Sequence, residues 1–227
     1  MKTDNAKMKV EIWSDIVCPF CYIGKRKFEA ALSEFKAASD VEIIWKSYQL
    51  SPAMKTVPGK SSHQYLAEHK QISLSEATAL NNRVAGWAQQ VGLAFNFDKA
   101  VPANTFMAHR FLHLARQHGL QSEAEEKLFS AHFTEGKNCD DLQTLVAIGS
   151  EIGLDASLVQ DVLESDGFAA EVRNDIAEAR ELGLRGVPFF VFDRKFALSG
   201  AQDSSIFLNT LEKAFDSWQK ENPGLAT

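Results

Sequence analysis

Cys18-Pro19-Phe20-Cys21 stands where a strand-like run gives way to a helical one. Residues 8–15 alternate and carry Val10, Ile12 and Trp13, the pattern of a strand. After the cysteines the period changes. Phe28, Ala31, Leu32 and Phe35 fall at i, i+3, i+4 and i+7, a helical stripe over 19–35. Pro19 suits the first helical turn, where its missing N–H costs nothing. A cysteine at such a junction faces unpaired amide groups and the positive end of the helix dipole. Placements of that kind lower a thiol pKa from about 8.5 to between roughly 3.5 and 7.5. The motif therefore predicts a strand–helix junction whose first cysteine, Cys18, is a thiolate at neutral pH.

The rest of the chain extends the α/β reading. A second strand is expected over 41–48. Pro52, Pro58 and Gly59 then break the pattern, and helices are expected near 62–71, 75–91, 103–118, 121–134, 140–152, 155–163 and 166–182. Asp140 and Ser165 are expected as caps. Strand signal returns at Val187–Asp193. A turn at 193–195 and Phe196–Ser199 complete an antiparallel hairpin. A last helix, capped by Asp203 or Ser204, carries Phe207, Leu211 and Trp218 and ends at Pro223-Gly224. The order is β-α-β, about 120 residues of helices, then β-β-α. A long insertion inside one sheet is tolerated, because loop-closure entropy grows only with the logarithm of length.

Two thiols three residues apart on a helix lie on one face. Cys18 at the end of the loop is expected to be accessible, and Cys21 one turn in to be shielded. Disulfide exchange uses that asymmetry: one thiolate attacks and the other resolves the mixed disulfide. Two alternatives stay open on spacing alone, a pair of inert buried thiols and half of a zinc site. A structural zinc takes four ligands, and the chain has no second Cys-x-x-Cys. Gly186-Val187-Pro188 heads the third strand, where a proline is tolerated. A cis Val187–Pro188 bond there would leave the Val187 backbone free to pair with an extended peptide.

With these motifs the chain resembles the DsbA family of thioredoxin-fold proteins, and within it the FrnE-like branch. Ser14-Asp15, Asn104-Thr105, Ala108-His109-Arg110 and Ser199-Gly200-Ala201-Gln202 carry the further likeness. The resemblance implies a thioredoxin fold with a large all-helical insertion: a thioredoxin-like unit from 8–60 and 184–222, and helices over 61–183. It implies thiol–disulfide oxidoreductase activity with Cys18 as nucleophile, Cys21 as resolving thiol and Pro188 as the cis proline. Phe20, Val187 and Asn104 are the expected substrate contacts. Phe20, Phe106 and Phe189 are candidates to wall an apolar groove. No metal or organic cofactor is expected. The expected partners are protein or low-molecular-weight thiols and disulfides, with glutathione as a redox partner.

The chain departs from related patterns in places. Phe20 stands where the strongly oxidising members carry histidine between the cysteines. Ile12 stands where thioredoxins keep a buried carboxylate; Asp15 is either a proton acceptor or a turn residue. A second branch, the kappa-class glutathione transferases and hydroxychromene-carboxylate isomerases, places serine where Cys18 stands. A transferase or isomerase of that type is one alternative, and a chaperone-like peptide binder in the helices is another.

The net charge of −6 leaves no basic stripe for nucleic acid. Lys25-Arg26-Lys27 is expected to be a solvated helix face. No segment is long and apolar enough for a membrane span, and the polar start of the chain (1–9) lacks a secretory pattern, so a cytoplasmic location is expected. His109 and His113, at i and i+4, are expected to be satisfied surface or groove histidines rather than a zinc pair. Cys139 is expected to be an ordinary thiol near a loop, with a regulatory or third redox role as the alternative.

Overall fold

The computed structural model of the chain describes residues 7–223. The expected features at 1–6 and at Gly224 lie outside the described residues. Among those described, one sheet holds β1 (Met8–Ser14), β2 (Val41–Ser47), β3 (Phe189–Phe192) and β4 (Phe196–Ser199), in the order β2-β1-β3-β4. β1 and β2 run parallel, with Met8 opposite Val41 and Ser14 opposite Ser47. A parallel pair needs a crossover, and α1 (Pro19–Glu34) supplies it. β3 lies antiparallel to β1 and pairs Val10 with Phe192; β4 then lies antiparallel to β3. The hairpin turn holds Asp193 and Arg194 at φ of 47° and 56°. Two successive positive values give the turn the twist of its flanking strands.

Alternation along β1 sends its side chains to opposite faces. Met8, Val10 and Ile12 join Phe28, Phe190 and Phe207 under α1 and α9 (Ser204–Glu221). Trp13 packs on the other face against Ala179, Leu184 and Val191, and its indole N–H donates to the Asp175 carbonyl at 3.1 Å.

Between β2 and β3 run α2 (Ser62–Lys70), α3 (Leu74–Gln89), α4 (Phe106–Gln117), α5 (Gln121–Ser130), α6 (Leu142–Glu151), α7 (Ala156–Glu164) and α8 (Ala169–Glu181). They share a core of their own around Phe111, Leu114, Leu128, Leu145 and Val159. A third apolar cluster joins the first turn of α1 to these helices: Cys18, Cys21, Tyr22 and Ile23 meet Ala88, Leu93, Phe129 and Phe133. The cysteines thus sit at the seam between sheet and helices.

Several local expectations are corrected. The helix expected from 103 starts at Phe106, because the Asn104 side chain accepts the Phe106 N–H at 2.9 Å and holds the preceding residues out of the helix. The helix expected over 121–134 stops at Ser130 and continues as a π turn, Ala131–Glu135, which closes at Gly136 with φ 72°. Asp141 rather than Asp140 caps α6, accepting the Thr144 N–H at 2.8 Å, while Asp140 accepts from the Thr56 hydroxyl. Ser165 closes α7 instead of opening α8. Asp203 precedes α9 without a capping bond, its carboxylate being turned to Lys27 at 2.8 Å.

The basic run is not a solvated face. Lys25 is buried and pairs with Glu29 at 2.5 Å and with Glu126 at 2.6 Å, because α5 covers that side of α1.

Candidate active site

Cys18 is the residue that opens α1. Its backbone is extended (φ −89°, ψ 110°), and Pro19 takes the first helical position. The Asp15 carbonyl accepts the Cys18 N–H at 2.9 Å, and the Cys18 carbonyl accepts the Cys21 N–H at 3.0 Å. Both thiols are free. The Cys18 thiol donates to the Val187 carbonyl, Sγ to O 3.6 Å. The Val187–Pro188 peptide is cis. The fold therefore brings Cys18, Cys21, Val187 and Pro188 together from the two ends of the sheet segment.

The expectation of an open Cys18 is corrected: it is 4% exposed and Cys21 1%. Both sulfurs sink into the seam cluster, and the Val187 backbone, expected to be free, is occupied by the Cys18 thiol. The asymmetry between the thiols lies in their surroundings. Burial, then the hydrogen bond and charge of Cys18, push the Cys21 thiol pKa up. Cys18 instead sits at the N-cap of α1, one turn before Cys21.

Two neighbours shape the approach. Gly24 sits where α1 passes the proline: a Cβ there would stand 3.0 Å from Pro188 Cγ and 3.5 Å from Ala201 Cα. The periodic pattern of α1 gives no sign of that contact, which joins parts of the chain far apart in sequence. Phe20 is 40% exposed and tilts against Trp87 at 5.9 Å between centroids. With Pro19, Leu66 and Val84 they line a groove of about 350 Å³, rimmed by Lys70 and Arg83. Phe20 thus walls an apolar groove. Phe189 instead packs beside Trp13 on the sheet, and Phe106 lies under the Arg173 guanidinium.

Behind the cysteines lies a buried polar cluster. Asp15 Oδ2 accepts the Leu50 N–H at 2.7 Å, and Oδ1 lies 3.5 Å from His109 Nε2. His109 Nε2 is 2.8 Å from the Tyr48 carbonyl. Asp15 is therefore a loop anchor whose carboxylate turns toward α4. Ser14 donates its hydroxyl proton to Glu125 Oε1 at 2.8 Å. Among the described residues, the buried side-chain polar atoms without a partner are Asp15 Oδ1, His109 Nδ1, Glu125 Oε2 and His132 Nδ1, all on members of this cluster or its border. Burial lowers the His132 pKa to about 4, so its ring is neutral at pH 7. His132 faces a cleft of about 270 Å³ lined also by Val17, Leu50, Met54 and Tyr65.

His109 and His113 are buried rather than at the surface. α4 packs directly on the loop and strand that follow the crossover, so His113 Nε2 reaches Ser47 Oγ at 3.2 Å and Asp175 at 3.1 Å. The Asn104 amide spends its bonds inside the protein. It donates to the Pro52 and Met54 carbonyls and accepts from Gln49 as well as Phe106, which pins the 52–54 loop. Cys139 lies in the helical core, where burial and then the nearby Asp15 and Asp140 charges push its pKa up to about 12. Glu125 escaped sequence reading because one acidic residue among several on α5 carries no signal of burial.

The profile of the DSBA-like thioredoxin domain matches residues 9–212. The chain belongs to the DSBA-like thioredoxin family. Within it, a probable DsbA oxidoreductase from Streptomyces coelicolor is 36% identical and superposes with a TM-score of 0.86, over 92% of this chain and 90% of that one. More distant structures share this DSBA-like fold. A 2-hydroxychromene-2-carboxylate isomerase is 18% identical with a TM-score of 0.64, over 97% of this chain and 100% of that one. The cytosolic disulfide reductase DsbM from Pseudomonas aeruginosa, solved with GSH, is 17% identical with a TM-score of 0.59, over 94% and 98%. Among the described residues, no helix is long and apolar enough to cross a membrane.

Proposed function

We propose that this DSBA-like chain is a thiol–disulfide oxidoreductase of the FrnE-like branch, acting through Cys18 and Cys21. The observation that carries the reading is the pair of free thiols opening α1, with Cys18 Sγ against the Val187 carbonyl. Cys18 attacks a substrate disulfide, forming a mixed disulfide as the first substrate thiol leaves. Cys21 then attacks the Cys18 sulfur, and the second thiol leaves. The cysteine pair loses the two electrons that reduce the substrate, and the reverse sequence oxidises a dithiol. Exchange needs no metal or organic cofactor.

Protein substrates place apolar side chains in the groove beside Phe20 and Trp87, and their backbone displaces Cys18 from Val187. The smaller cleft beside Val17 takes a low-molecular-weight thiol such as glutathione, a partner that DsbM was solved with. A cytoplasmic setting, Pro188 beside the nucleophile, and sheet segments 8–60 and 184–222 flanking an inserted helical unit over 61–183 complete the proposal. Cysteine rather than serine at position 18 favours redox work over the isomerase or transferase alternative.

Cys18→Ser is expected to abolish reduction of insulin disulfides. Cys21→Ser is expected to accumulate a mixed disulfide at Cys18, visible as added mass that a reductant removes. Full insulin reduction by Cys18→Ser would overturn the reading.

A further inference from the structure

The groove beside Phe20 draws its walls from three helices. From α3 come Leu80, Arg83, Val84 and Trp87, which fall at i, i+3, i+4 and i+7 and so form one continuous face. From α2 come Leu66 and Lys70, one turn apart. Pro19 and Phe20 of α1, between the two cysteines, close the end. Trp87 is 44% exposed and Phe20 40%, and exposed aromatic side chains at an apolar groove serve as anchors for a partner chain. Asn81 borders the groove, but its amide nitrogen lies 2.9 Å from His63 Nδ1 and is spent there.

Among the described residues, the charged groups that line the groove are Lys70 and Arg83, and no carboxylate joins them. The carboxylates of α2 and α3 are engaged elsewhere. Glu68 pairs with Lys60, and Glu76 accepts from the Ser73 amide at 2.9 Å and the Ser73 hydroxyl at 2.7 Å. A positive rim on an apolar groove runs against the chain's net charge of −6. It complements one kind of segment: an extended peptide with an apolar side chain for the aromatic end and a carboxylate for the rim.

We propose that Lys70 and Arg83 are specificity-determining residues that select polypeptide substrates with a carboxylate two positions from an apolar side chain beside the disulfide. The inference rests on the reading of this groove as the seat of protein substrates. The spacing comes from the helix. Arg83 and Trp87 are four residues apart, about 6 Å along the axis. Side chains on one side of an extended peptide recur every second residue, about 6.6 Å. A peptide whose apolar side chain packs on Phe20 and Trp87 therefore carries the residue two positions away over Arg83. Lys70 adds a second positive charge from α2.

The test uses synthetic peptides with one cysteine held as a disulfide with thionitrobenzoate. A leucine adjoins the cysteine, and Glu, Gln or Lys stands two positions beyond the leucine; a second set has the reversed order. Attack by Cys18 releases thionitrobenzoate and leaves the peptide on Cys18, and Cys21 then expels the peptide thiol. Each rate constant is divided by that of the same peptide with dithiothreitol, which removes the side chain's effect on the disulfide itself. At low salt the wild type is expected to react about fivefold faster with the Glu peptide than with the Gln peptide, in at least one order, and more slowly still with the Lys peptide. The ratio should shrink toward one at about 0.5 M salt. In Lys70→Gln/Arg83→Gln the Glu and Gln peptides should react alike, and in Lys70→Glu/Arg83→Glu the Lys peptide should lead. Equal rates for the three peptides in the wild type, or a Glu preference that survives removal of both charges, would overturn the selection and leave the dithiol reading intact. A wild type that releases thionitrobenzoate from none of the peptides, or no faster than Cys18→Ser does, would overturn the dithiol reading and the selection with it. A concentration-dependent dimer in sedimentation, abolished by Trp87→Ser, would assign the groove to a second copy of this chain and overturn the proposal.

Discussion

Glu126→Gln is expected to loosen the grip of α5 on the helix that carries the cysteines. Glu126 accepts from the Tyr22 hydroxyl at 2.6 Å, from Lys25 Nζ at 2.6 Å and from Arg26 Nη1 at 2.9 Å, with a second Arg26 nitrogen on its other oxygen. Burial alone raises the Glu126 pKa, but the Arg26, Lys25 and Tyr22 hydrogen bonds outweigh it and bring the value from 4.5 to about 2. At about 1.4 kcal/mol per tenfold change, that displacement is worth about 3.4 kcal/mol before screening. The side chain keeps 31% of its exposure, and solvent screening reduces the figure to about 2 kcal/mol. The sign follows from a depressed carboxylate. Its stabilisation is complete above 4.5 and is lost as pH falls toward 2. Urea unfolding followed by tryptophan fluorescence should therefore show the variant about 2 kcal/mol less stable at pH 7 and only roughly 0.8 kcal/mol less stable at pH 3. An offset of the same size at both pH values, or none at pH 7, would refute the argument.

Gly24→Val is expected to force α1 away from Pro188, since even a Cβ would stand 3.0 Å from the proline ring. Overpacking of this kind costs about 1–3 kcal/mol, and thermal melting and insulin reduction should both fall. Cys139→Ala should exchange disulfides at the wild-type rate. In the folded wild type, iodoacetamide at pH 8 should leave Cys139 unlabelled in peptide maps, because its pKa of about 12 keeps it protonated.

What the sequence made legible was local. The alternation in 8–15 and the 3.6-residue stripe of 19–35 located β1 and α1 to within a residue or so. Turn chemistry at 193–195 announced the β3–β4 hairpin. What it hid depended on contacts between distant segments. Lys25-Arg26-Lys27 has the composition of a solvated face, and only the arrival of α5 buries Lys25. Cys18 has the position of an open thiol, and the Val187 loop, 169 residues away, and the seam cluster with Ala88 and Phe129 cover it. Helix ends failed wherever a side chain competed for a backbone amide, as Asn104 does at Phe106.

The same physics explains how one helix pairs with both the outer edge and the buried interior of the site. Glu125 and Glu126 are adjacent in sequence, and successive residues on an α-helix point about 100° apart. With α5 set against α1, one carboxylate faces the ion-paired outer edge at Lys25 and Arg26, and the next faces inward to Ser14 at the end of β1. The outer pairing adds to the buried Ala124, Leu128 and Phe129 and the Gln121–Trp45 hydrogen bonds in setting the rotation of α5, and that rotation aims Glu125 at Ser14. The two glutamates should therefore be energetically coupled. Glu126→Gln, by relaxing the rotation, should weaken the Ser14–Glu125 hydrogen bond even though Glu126 makes no contact with Ser14. A double-mutant cycle on urea unfolding at pH 7 would read this as non-additivity between Glu126→Gln and Glu125→Gln. Strict additivity would mean that α5 holds its rotation without the outer ion pairs, through its buried Ala124 and Leu128, the Gln121–Trp45 hydrogen bonds and the Tyr22–Phe129 stack.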